Sequence, residues 1–486
     1  MKTKEKIKKI RLKKIENFKK REIEVYPQEI KKHKKIKEVI DNFFSLTKEK
    51  KGIVLVGRIR TIRTHGAITF LHFEDETGRI QSCLRKNLLT DYYFFLENID
   101  IGDFVLFEGK LFLTKKGEKT IEVEKWQILA KSLSPLPEKW HGLSDIEERF
   151  RKRYLDLLIN KEIKEKFILK SKIISFFRNY LEKNDFIEAE TPILQPIYGG
   201  ASAQPFKTHH KAFDLKLYLR IAPELYLKRL LIGGFERVFE IGRNFRNEGV
   251  DASHNPDFTS LEFYQAYHDY KDLMEFLEKM LEELVLRLFK KKEINWQGKK
   301  ISFSLPFKRI KFYDIIKKEI GIDPQKLSEK EIKDIALKYK IPLERKSKAE
   351  TLDDFFKKIC LKKIIEPTFV IHHPIELTPL AKATEENPLL AARFQLIIGG
   401  WEIANAFSEL NDPIEQEKRF LEQLKKKKNR KLEIHPFDKD FIEALSYGMP
   451  PAAGCGLGID RFTALLTNSK TLREVILFPL MKPLKN

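Results

Sequence analysis

Two arginine-containing stretches, far apart in the chain, hold residues suited to chemistry on a phosphate compound. The first reads FRNEGVDASHNPDF and the second reads GLGIDR. Arginine donates paired hydrogen bonds to phosphate or carboxylate oxygens in a fixed geometry, and its guanidinium group also lies flat on aromatic rings. One arginine near a glycine is common, but two such stretches in a strongly basic chain predict chemistry on a nucleotide. The residues selected here are Arg246, Glu248, His254, Phe258 and Arg461.

Three glutamates lie in otherwise apolar stretches of sequence. Glu224 stands in APELYL, Glu262 in SLEFYQAY and Glu409 in NAFSEL. A carboxylate is rarely buried without a cationic partner, so each of them could be half of a structural salt bridge. Taken together, three acids that converge on one pocket would suit a substrate with two ammonium groups.

The elements that precede these residues predict a small β-barrel over residues 49–132. Five short runs are apolar or alternating, and the helical run DYYFFLENI separates the third from the fourth: GIVLVGRIRTI, AITFLHFED, RIQSCLR, DFVLFEGKLFL and KTIEVEKWQIL. This order predicts a Greek-key barrel of the OB type, which binds single-stranded nucleic acid on aromatic and basic side chains. We select Arg58, Phe70 and Gln81 as predicted contacts, and the alternative for Phe70 is the hydrophobic core.

The rest of the chain predicts an N-terminal arm and one large α+β domain. Residues 1–48 predict a basic helical arm, which is either a solvated tail or a segment lying along phosphates. Residues 133–150 contain prolines and predict a linker. Residues 151–486 mix helices and strands, and the lysine- and glutamate-rich residues 272–365 predict a helical insertion in that domain.

The composition favours a polyanionic partner and argues against a membrane span. The net charge is +22, from 93 Lys and Arg against 71 Asp and Glu, so nucleic acid is the first expectation and a bias toward lysine is the alternative. No long apolar run is present, and the N-terminus is too charged for a signal peptide. The 3 cysteines are scattered, which argues against a zinc or disulfide framework and predicts a cytoplasmic protein.

Several motifs resemble those of a known enzyme family. FIEAETPIL, FRNEG with HNPDFT, and GLGIDR resemble the three signature motifs of class II aminoacyl-tRNA synthetases. GGASAQPF, APELYLKRL and AFSELNDP further resemble the lysine-specific members of bacterial type, class IIb. The resemblance covers nearly the whole chain. It implies an OB-fold anticodon-binding domain and a catalytic domain with an antiparallel sheet flanked by helices.

The resemblance also implies an activity and its partners. The enzyme would activate L-lysine with ATP and Mg²⁺, transfer lysine to tRNA(Lys), and form a homodimer around Thr191-Pro192. Arg246 would bridge the substrate carboxylate and the α-phosphate, and Phe258 and Arg461 would sandwich the adenine. Glu248 would accept a hydrogen bond from the adenine amino group, and His254 would touch the phosphate tail.

The implied lysine pocket takes its residues from several motifs. Glu224 and the backbone of Gly200 would hold the α-amino group, while Asn405 would orient the amino acid. The remaining residues would hold the ε-ammonium group: Glu262, Tyr264 and Glu409. Arg246 would complete the pocket at the carboxylate of the substrate.

The chain departs from the family pattern near the triphosphate. Glu402 matches one metal ligand, but Gln395 stands where the family usually has a second acid. Ser253 stands where an arginine usually precedes the HNPEF motif, and Asp257 replaces the glutamate of that motif. Because Gln395 can still offer a neutral oxygen, we expect magnesium binding to survive in a weaker form and the ATP Michaelis constant to be higher.

Two other functions remain open from the sequence. A synthetase paralogue that attaches lysine to a protein would lack the barrel, whereas the sequence of this chain predicts one. A degenerate RNA-binding or regulatory protein would have lost catalysis, and the changes at Ser253 and Gln395 are its only support. The intact residues Arg246, Glu402 and Arg461 argue against that second function.

Overall fold

The structure is a computed structural model that describes residues 2–49, 51–137, 143, 145–343, 346–428 and 437–484. The chain forms two compact units, Met1–Ser144 and Asp145–Asn486. Their boundary falls within the predicted linker 133–150, of which residues 138–142 and 144 lie outside the described part, and a helix already begins at Ile146. None of the described helices is both long enough and apolar enough to cross a membrane.

The first unit contains a closed five-stranded barrel with the strand order β1-β2-β3-β5-β4. Strands β3 and β5 pair in parallel, and the other neighbours are antiparallel. Helix α4 lies between β3 and β4, so the structure confirms the predicted OB fold. The elements are α1 (Lys2–Lys20), α2 (Ile36–Asp41), α3 (Phe43–Glu49), β1 (Ile53–His65), β2 (Ile68–Glu74), β3 (Arg79–Arg85), α4 (Tyr92–Asn98), β4 (Phe104–Leu113) and β5 (Lys119–Ala130).

Alternating side chains explain why these strands close around one core. Ile121 and Val123 of β5 are fully buried, whereas Glu122 and Glu124 face outward. A period of two places alternate residues on opposite faces of a strand, so one face of each strand packs inside the barrel.

Helix α1 is packed against the barrel and is not a solvated tail. Phe18 is fully buried in the barrel core, where its ring meets the edge of the Phe94 ring at 5.2 Å between centroids. The Arg11 guanidinium donates a hydrogen bond of 3.2 Å to the carbonyl oxygen of Ile101. Burial of the apolar stripe of α1 therefore fixes the basic helix to the first unit.

The second unit is built on an eight-stranded sheet with the order β14-β15-β16-β17-β18-β11-β10-β6. Its neighbours are antiparallel except at the two edges, where β14 pairs with β15 and β10 with β6 in parallel. The strands are β6 (Ile187–Glu188), β7 (Leu194–Gln195), β8 (Lys207–His210), β9 (Leu215–Leu219), β10 (Arg237–Phe245), β11 (Asp257–Ala266), β12 (Glu293–Trp296), β13 (Lys299–Ser302), β14 (Lys308–Lys311), β15 (Thr368–Ile371), β16 (Arg393–Ile398), β17 (Trp401–Ser408) and β18 (Ala452–Gly458). Strands β7, β9 and β8 form a separate small sheet.

Helices flank this sheet, as the sequence predicted. The helices α7, α9 and α15 share one apolar core with the sheet, represented by Phe177, Leu277 and Phe462. The helices are α5 (Ile146–Arg151), α6 (Arg153–Ile159), α7 (Lys161–Glu182), α8 (Glu224–Ile232), α9 (Tyr270–Phe289), α10 (Phe312–Ile320), α11 (Glu329–Lys338), α12 (Lys348–Phe355), α13 (Pro413–Lys428), α14 (Lys439–Ser446) and α15 (Ile459–Leu466).

The predicted helical insertion over residues 272–365 is wrong in part. Helix α9 belongs to the central core, strands β12 and β13 form a hairpin, and β14 joins the edge of the large sheet. Only α10, α11 and α12, with a π-helical turn at Phe356–Cys360, form a helical cluster around Phe312 and Ile316. Strands of four residues in a lysine-rich segment are too short to show a clear alternation in sequence. They form because of their pairing with neighbouring strands in the fold.

Candidate active site

One cavity of about 910 Å³ in the second unit collects all the catalytic, ATP-binding, lysine-binding and metal-binding residues predicted from sequence. Paired residues of neighbouring strands line the cavity: Glu262 of β11 pairs with Gly456 of β18, and Gly456 pairs with Asn405 of β17. The residues that line it are Gly200, Glu224, Arg246, Glu248, His254, Phe258, Glu262, Tyr264, Gln395, Glu402, Asn405, Glu409 and Arg461. The site therefore forms from strands β10, β11, β16, β17 and β18 with the segments after them, together with Gly200 and the start of α8 at Glu224.

Two glycines leave room for the acids of the cavity. A Cβ atom at Gly454 of β18 would overlap both Glu409 Oε1 and the Tyr264 ring. Gly200 has a φ of +84°, and a Cβ there would lie 2.9 Å from Glu224 Cβ. Only glycine combines this backbone conformation with so close an approach. The two glycines therefore allow Glu224 and Glu409 to take their positions at the cavity.

Arg246 is a partly buried cation whose buried Nε–H group is available for a ligand. Its Nε atom is buried and makes no hydrogen bond to the described residues. Its Cζ atom lies 5.0 Å from the centroid of the Phe258 ring, so the guanidinium group covers that ring. Burial lowers the pKa of Arg246, and the nearby Glu262 carboxylate opposes this effect. An anionic ligand would supply the missing acceptor.

Arg461 is held at the cavity by neutral groups. Its Nε donates to the carbonyl oxygen of Ser253 at 3.3 Å, and its Nη1 donates to that of Glu402 at 3.1 Å. Neither hydrogen bond neutralises the positive charge of Arg461, because both acceptors are carbonyl oxygens. The arginine that covers the Phe258 ring in this structure is Arg246. The predicted adenine sandwich between Phe258 and Arg461 stays a prediction.

The loop after β10 presents the other predicted ATP contacts. Glu248 and His254 are exposed, and His254 Nδ1 lies 2.9 Å from Asp251 Oδ2. Ser253, which replaces the expected arginine, uses its backbone N–H to donate to Asp251 Oδ1 at 2.7 Å. Burial opposes ionisation of Asp251, but these hydrogen bonds outweigh it and lower the pKa of the carboxyl group. The Asp251 carboxylate thus holds this loop together through its contacts with Ser253 and His254.

Glu224, Glu262 and Glu409 converge and are buried, as predicted. Burial, and next to it the neighbouring Glu224 carboxylate, raises the pKa of Glu262 to about 8. Burial also raises the pKa of Glu409 to about 8, although a nearby lysine opposes the shift. Tyr264 donates a hydrogen bond of 3.1 Å to Glu262 Oε2. The cavity therefore holds acids that a cationic ligand would ionise.

Sequence reasoning missed two cations in this cavity region. Lys228 is fully buried, and its Nζ lies 2.6 Å from Glu224 Oε1 and also contacts Glu409 Oε2. Arg393 donates to Asn405 Oδ1 at 2.7 Å and thereby orients that amide. The available signals were spacings: Lys228 follows Glu224 by four residues on α8, and Arg393 precedes Gln395 by two on β16.

The predicted metal residues form a hydrogen-bonded chain. Gln395 Nε2 donates to Glu402 Oε2 at 3.1 Å, and Gln395 Oε1 lies 3.0 Å from His373 Nε2. Burial lowers the pKa of His373 well below its usual value, so the imidazole is neutral and can donate to Gln395. Among the described residues no group of three or more His, Cys, Asp or Glu could hold a metal ion. Gln395 turns its amide N–H, and not its oxygen, toward the Glu402 carboxylate.

The three predicted anticodon residues differ in exposure. Phe70 lies on the outer face of β2, partly exposed and outside the barrel core, so the core alternative is wrong. Arg58 is partly exposed, and its Cζ lies 4.3 Å from the centroid of the Phe104 ring. Gln81 is buried and donates to Thr120 Oγ1 at 3.0 Å, so its prediction as an exposed contact needs correction. The β3–β5 pairing covers it.

Comparison with known proteins identifies the family. Residues 145–482 match the model of tRNA synthetases class II (D, K and N), and residues 53–129 match that of the OB-fold nucleic acid binding domain. A lysine–tRNA ligase of Carboxydothermus hydrogenoformans is 48% identical over 483 residues, which cover 98% of each chain. One of Aquifex aeolicus is 50% identical over 89% of this chain and 73% of its own. Lysine–tRNA ligase 2 of Methanosarcina acetivorans is 47% identical over 95% of this chain and 91% of its own. The chain therefore belongs to the class II tRNA synthetases of the D, K and N group.

Proposed function

We propose that this chain is a lysine–tRNA ligase. It activates L-lysine with ATP to lysyl-adenylate and transfers lysine to the 3′ end of tRNA(Lys), releasing AMP and pyrophosphate. The observation that carries this proposal is the convergence of three buried glutamates beside Arg246 in one cavity. Relatives that are 44–50% identical and carry the name lysine–tRNA ligase support it.

Activation needs alignment and charge neutralisation more than a protein nucleophile. A carboxylate oxygen of lysine attacks the α-phosphorus of ATP, a P–O bond forms, and the bond to pyrophosphate breaks. Both reactants are anionic, so Arg246 lowers the barrier by binding the carboxylate and the α-phosphate together. Its buried Nε–H, which lacks an acceptor among the described residues, suits that position. Bound Mg²⁺ would neutralise charge on the phosphates, with Glu402 as its protein ligand.

The pocket acids account for the choice of lysine. Glu224, beside Gly200, holds the α-amino group, and Glu262, Tyr264 and Glu409 hold the ε-ammonium group. An amino acid without the second ammonium group would leave buried acids unpaired. Sites that hydrogen-bond a polar group reject analogues lacking it by about four orders of magnitude.

One assay separates the possible functions. We expect ATP–pyrophosphate exchange to depend on lysine among the twenty amino acids, and tRNA(Lys) to be charged by the same protein. Exchange without tRNA charging would favour an enzyme that attaches lysine to a protein. Absence of exchange with every amino acid, with and without tRNA, would favour an RNA-binding protein without catalysis.

The residues Gln395 and Ser253 of this chain, which differ from the family pattern, are expected to weaken the binding of ATP and Mg²⁺. Gln395→Glu would place a second carboxylate beside Glu402, where Gln395 now donates a hydrogen bond of 3.1 Å. Two adjacent carboxylates repel one another without a cation and bind Mg²⁺ better with one. We expect the half-saturating Mg²⁺ concentration for ATP binding to fall about tenfold. The melting temperature of Gln395→Glu in EDTA should also fall below that of the parent protein, because the two carboxylates then lack a cation.

Ser253→Arg should lower the ATP Michaelis constant several-fold, because it adds a cation to the loop beside Arg461. Ser253→Ala is the matched control, since it removes the hydroxyl group without adding charge. Unchanged Mg²⁺ dependence in Gln395→Glu, together with an unchanged ATP Michaelis constant in Ser253→Arg, would refute this prediction.

The outer face of the barrel is proposed to bind the anticodon of tRNA(Lys). Phe70→Ala should weaken tRNA binding by about 1–3 kcal/mol, because one base would lose its stacking partner. Filter binding and charging kinetics at fixed salt measure the change. Phe44→Ala removes an exposed ring of α3 and serves as the control. Equal tRNA affinity in Phe70→Ala and the parent protein would remove Phe70 from the binding face.

We also propose a homodimer through the segment around Thr191-Pro192. This segment is held by Glu240, whose Oε2 accepts a hydrogen bond of 2.7 Å from Thr191 Oγ1. Exposed apolar side chains lie near it in sequence: Ile187, Ile193, Leu194, Phe213 and Leu215. Leu194→Asp should convert the dimer to a monomer in analytical ultracentrifugation, with Leu389→Asp as the control at another exposed leucine. A parent protein that sediments as a monomer would contradict the proposal.

A further inference from the structure

The buried ammonium group of Lys228 has no role in the mechanism described so far. Its side chain is fully buried, with Nζ 2.6 Å from Glu224 Oε1, in contact with Glu409 Oε2, and 5.4 Å from the centroid of the Phe407 ring. An ordinary buried ion pair requires only one carboxylate. Lys228 instead joins two acids that come from different elements, the start of α8 and the residue after β17.

Each of these two carboxylates contacts Lys228 through one oxygen, and its other oxygen lies beside a glycine. Glu224 Oε2 lies 3.6 Å from the position that a Cβ atom would take at Gly200. Glu409 Oε1 is buried, accepts no hydrogen bond from the described residues, and lies against Gly454 and Tyr264. A buried carboxylate oxygen without a donor is unfavourable until a ligand supplies one. Lys228 thus lies within ion-pair distance of both acids, while Glu409 Oε1 has no donor among the described residues.

The charges of the pocket match lysine only when Lys228 is counted. Glu224, Glu262 and Glu409, when ionised, and the Lys228 ammonium leave two net negative charges. Free lysine brings two ammonium groups, and its carboxylate is bound by Arg246 under the proposed function. Without Lys228 the free pocket would hold a third buried carboxylate with no cation, and such a group takes up a proton, which lysine must displace when it binds.

We propose that Lys228 is a positioning and specificity-determining residue of the amino acid pocket. Its ammonium group holds Glu224 and Glu409 in place and sets the pocket charge to match an amino acid with two ammonium groups. This inference rests on the proposed function.

The other ionisable groups around Lys228 do not replace it. Glu262 and Tyr264 face the pocket from β11, and Tyr264 donates to Glu262. On α8 the neighbouring Arg229 is paired with Asp438 at 3.0 Å. Burial is the main reason that the pKa of Glu409 is raised to about 8, and the Lys228 ammonium opposes that rise. Removal of the ammonium should raise this pKa further.

The test compares neutral and charged replacements of Lys228. Lys228→Met and Lys228→Gln remove the charge, and Lys228→Arg keeps it. Calorimetry of lysine binding in buffers with different ionisation enthalpies counts the protons released, and exchange kinetics give the Michaelis constants for lysine and ATP separately. Folding of each variant is checked by its melting temperature and by ATP binding.

We expect the neutral variants to release about one more proton than the parent on binding lysine at pH 7. That proton should come from Glu224, whose pKa burial raises and Lys228 holds down, because Glu409 with a pKa of about 8 is mostly protonated in the parent already. Their Michaelis constant for lysine should rise about tenfold per pKa unit and recover between pH 7 and 9, because the acids must lose protons before they bind. The Michaelis constant for ATP should stay within about twofold, and Lys228→Arg should keep the proton count of the parent.

Three results would overturn the inference. They are an unchanged proton count in folded neutral variants, equal losses in all three variants, and failure of both neutral variants to fold, which would assign Lys228 to the fold alone. A parent protein without lysine-dependent exchange would instead refute the proposed function, and that measurement precedes any variant.

Discussion

Arg246→Ala is expected to abolish lysyl-adenylate formation while tRNA binding stays nearly intact. The guanidinium group lies over the Phe258 ring, and its buried Nε–H has no acceptor among the described residues. Removing a preorganised donor of this kind reduces catalysis by about a hundredfold to a thousandfold, and Arg246 would serve both anionic reactants. ATP–pyrophosphate exchange should therefore fall by about a thousandfold or more. Filter binding of tRNA should change little, because the anticodon is proposed to bind the barrel.

Arg246→Lys should recover only a small part of the activity, since an ammonium group cannot form the paired hydrogen bonds of a guanidinium group. Arg243→Ala is the matched control, three residues earlier near the end of β10. Arg243 is about 42% exposed and pairs with Asp257 at 2.6 Å, a surface ion pair that contributes little. A comparable loss of tRNA binding in Arg246→Ala would contradict the role assigned to this residue.

Gly454→Ala should close the pocket to lysine. The new methyl group would overlap Glu409 Oε1 and the Tyr264 ring, both of which are buried and have little room to move. Overpacking of this kind destabilises by about 1–3 kcal/mol, and displacement of Glu409 would also remove a contact to the ε-ammonium group. We expect the Michaelis constant for lysine to rise roughly a hundredfold, which corresponds to about 2.7 kcal/mol. The Michaelis constant for ATP should change little.

Gly456→Ala provides the comparison two residues further along β18. The nearest atom to a Cβ there is Glu262 Cγ at 3.7 Å, which is ordinary van der Waals contact. Its effect on the Michaelis constant for lysine should therefore be much smaller than that of Gly454→Ala. Equal effects of the two substitutions, or a Michaelis constant for lysine within about threefold of the parent in Gly454→Ala, would exclude the steric explanation.

Elements with a strong period were predictable from sequence, and weakly periodic ones were not. Ile121 and Val123 alternate with glutamates, and both proved buried in the barrel. Strand β14 has four residues, KRIK, and no alternation that would distinguish it from a loop. It forms because β15 offers a free edge for parallel pairing. The lysine- and glutamate-rich composition of residues 272–365 predicts an insertion that includes most of α9, although the apolar face of this helix packs in the core.

The sequence by itself determined the reaction class and the identity of the pocket acids. Residue types and motif resemblance selected Arg246 and Arg461, and the apolar surroundings of the three glutamates selected Glu224, Glu262 and Glu409. The resulting prediction that these residues share one cavity was confirmed by the structure.

Only the tertiary structure decided which charges meet. Lys228 reaches Glu409 across more than a hundred residues of sequence, Arg393 reaches Asn405 across a strand pair, and Gln81 is covered by Thr120. Such contacts depend on sheet order and register, which no local pattern specifies. Burial then sets the protonation of these groups, since removal of water changes the pKa of a carboxyl group. The two arginine stretches thus indicated the chemistry, and the folded sheet determined the charge of the pocket in which it takes place.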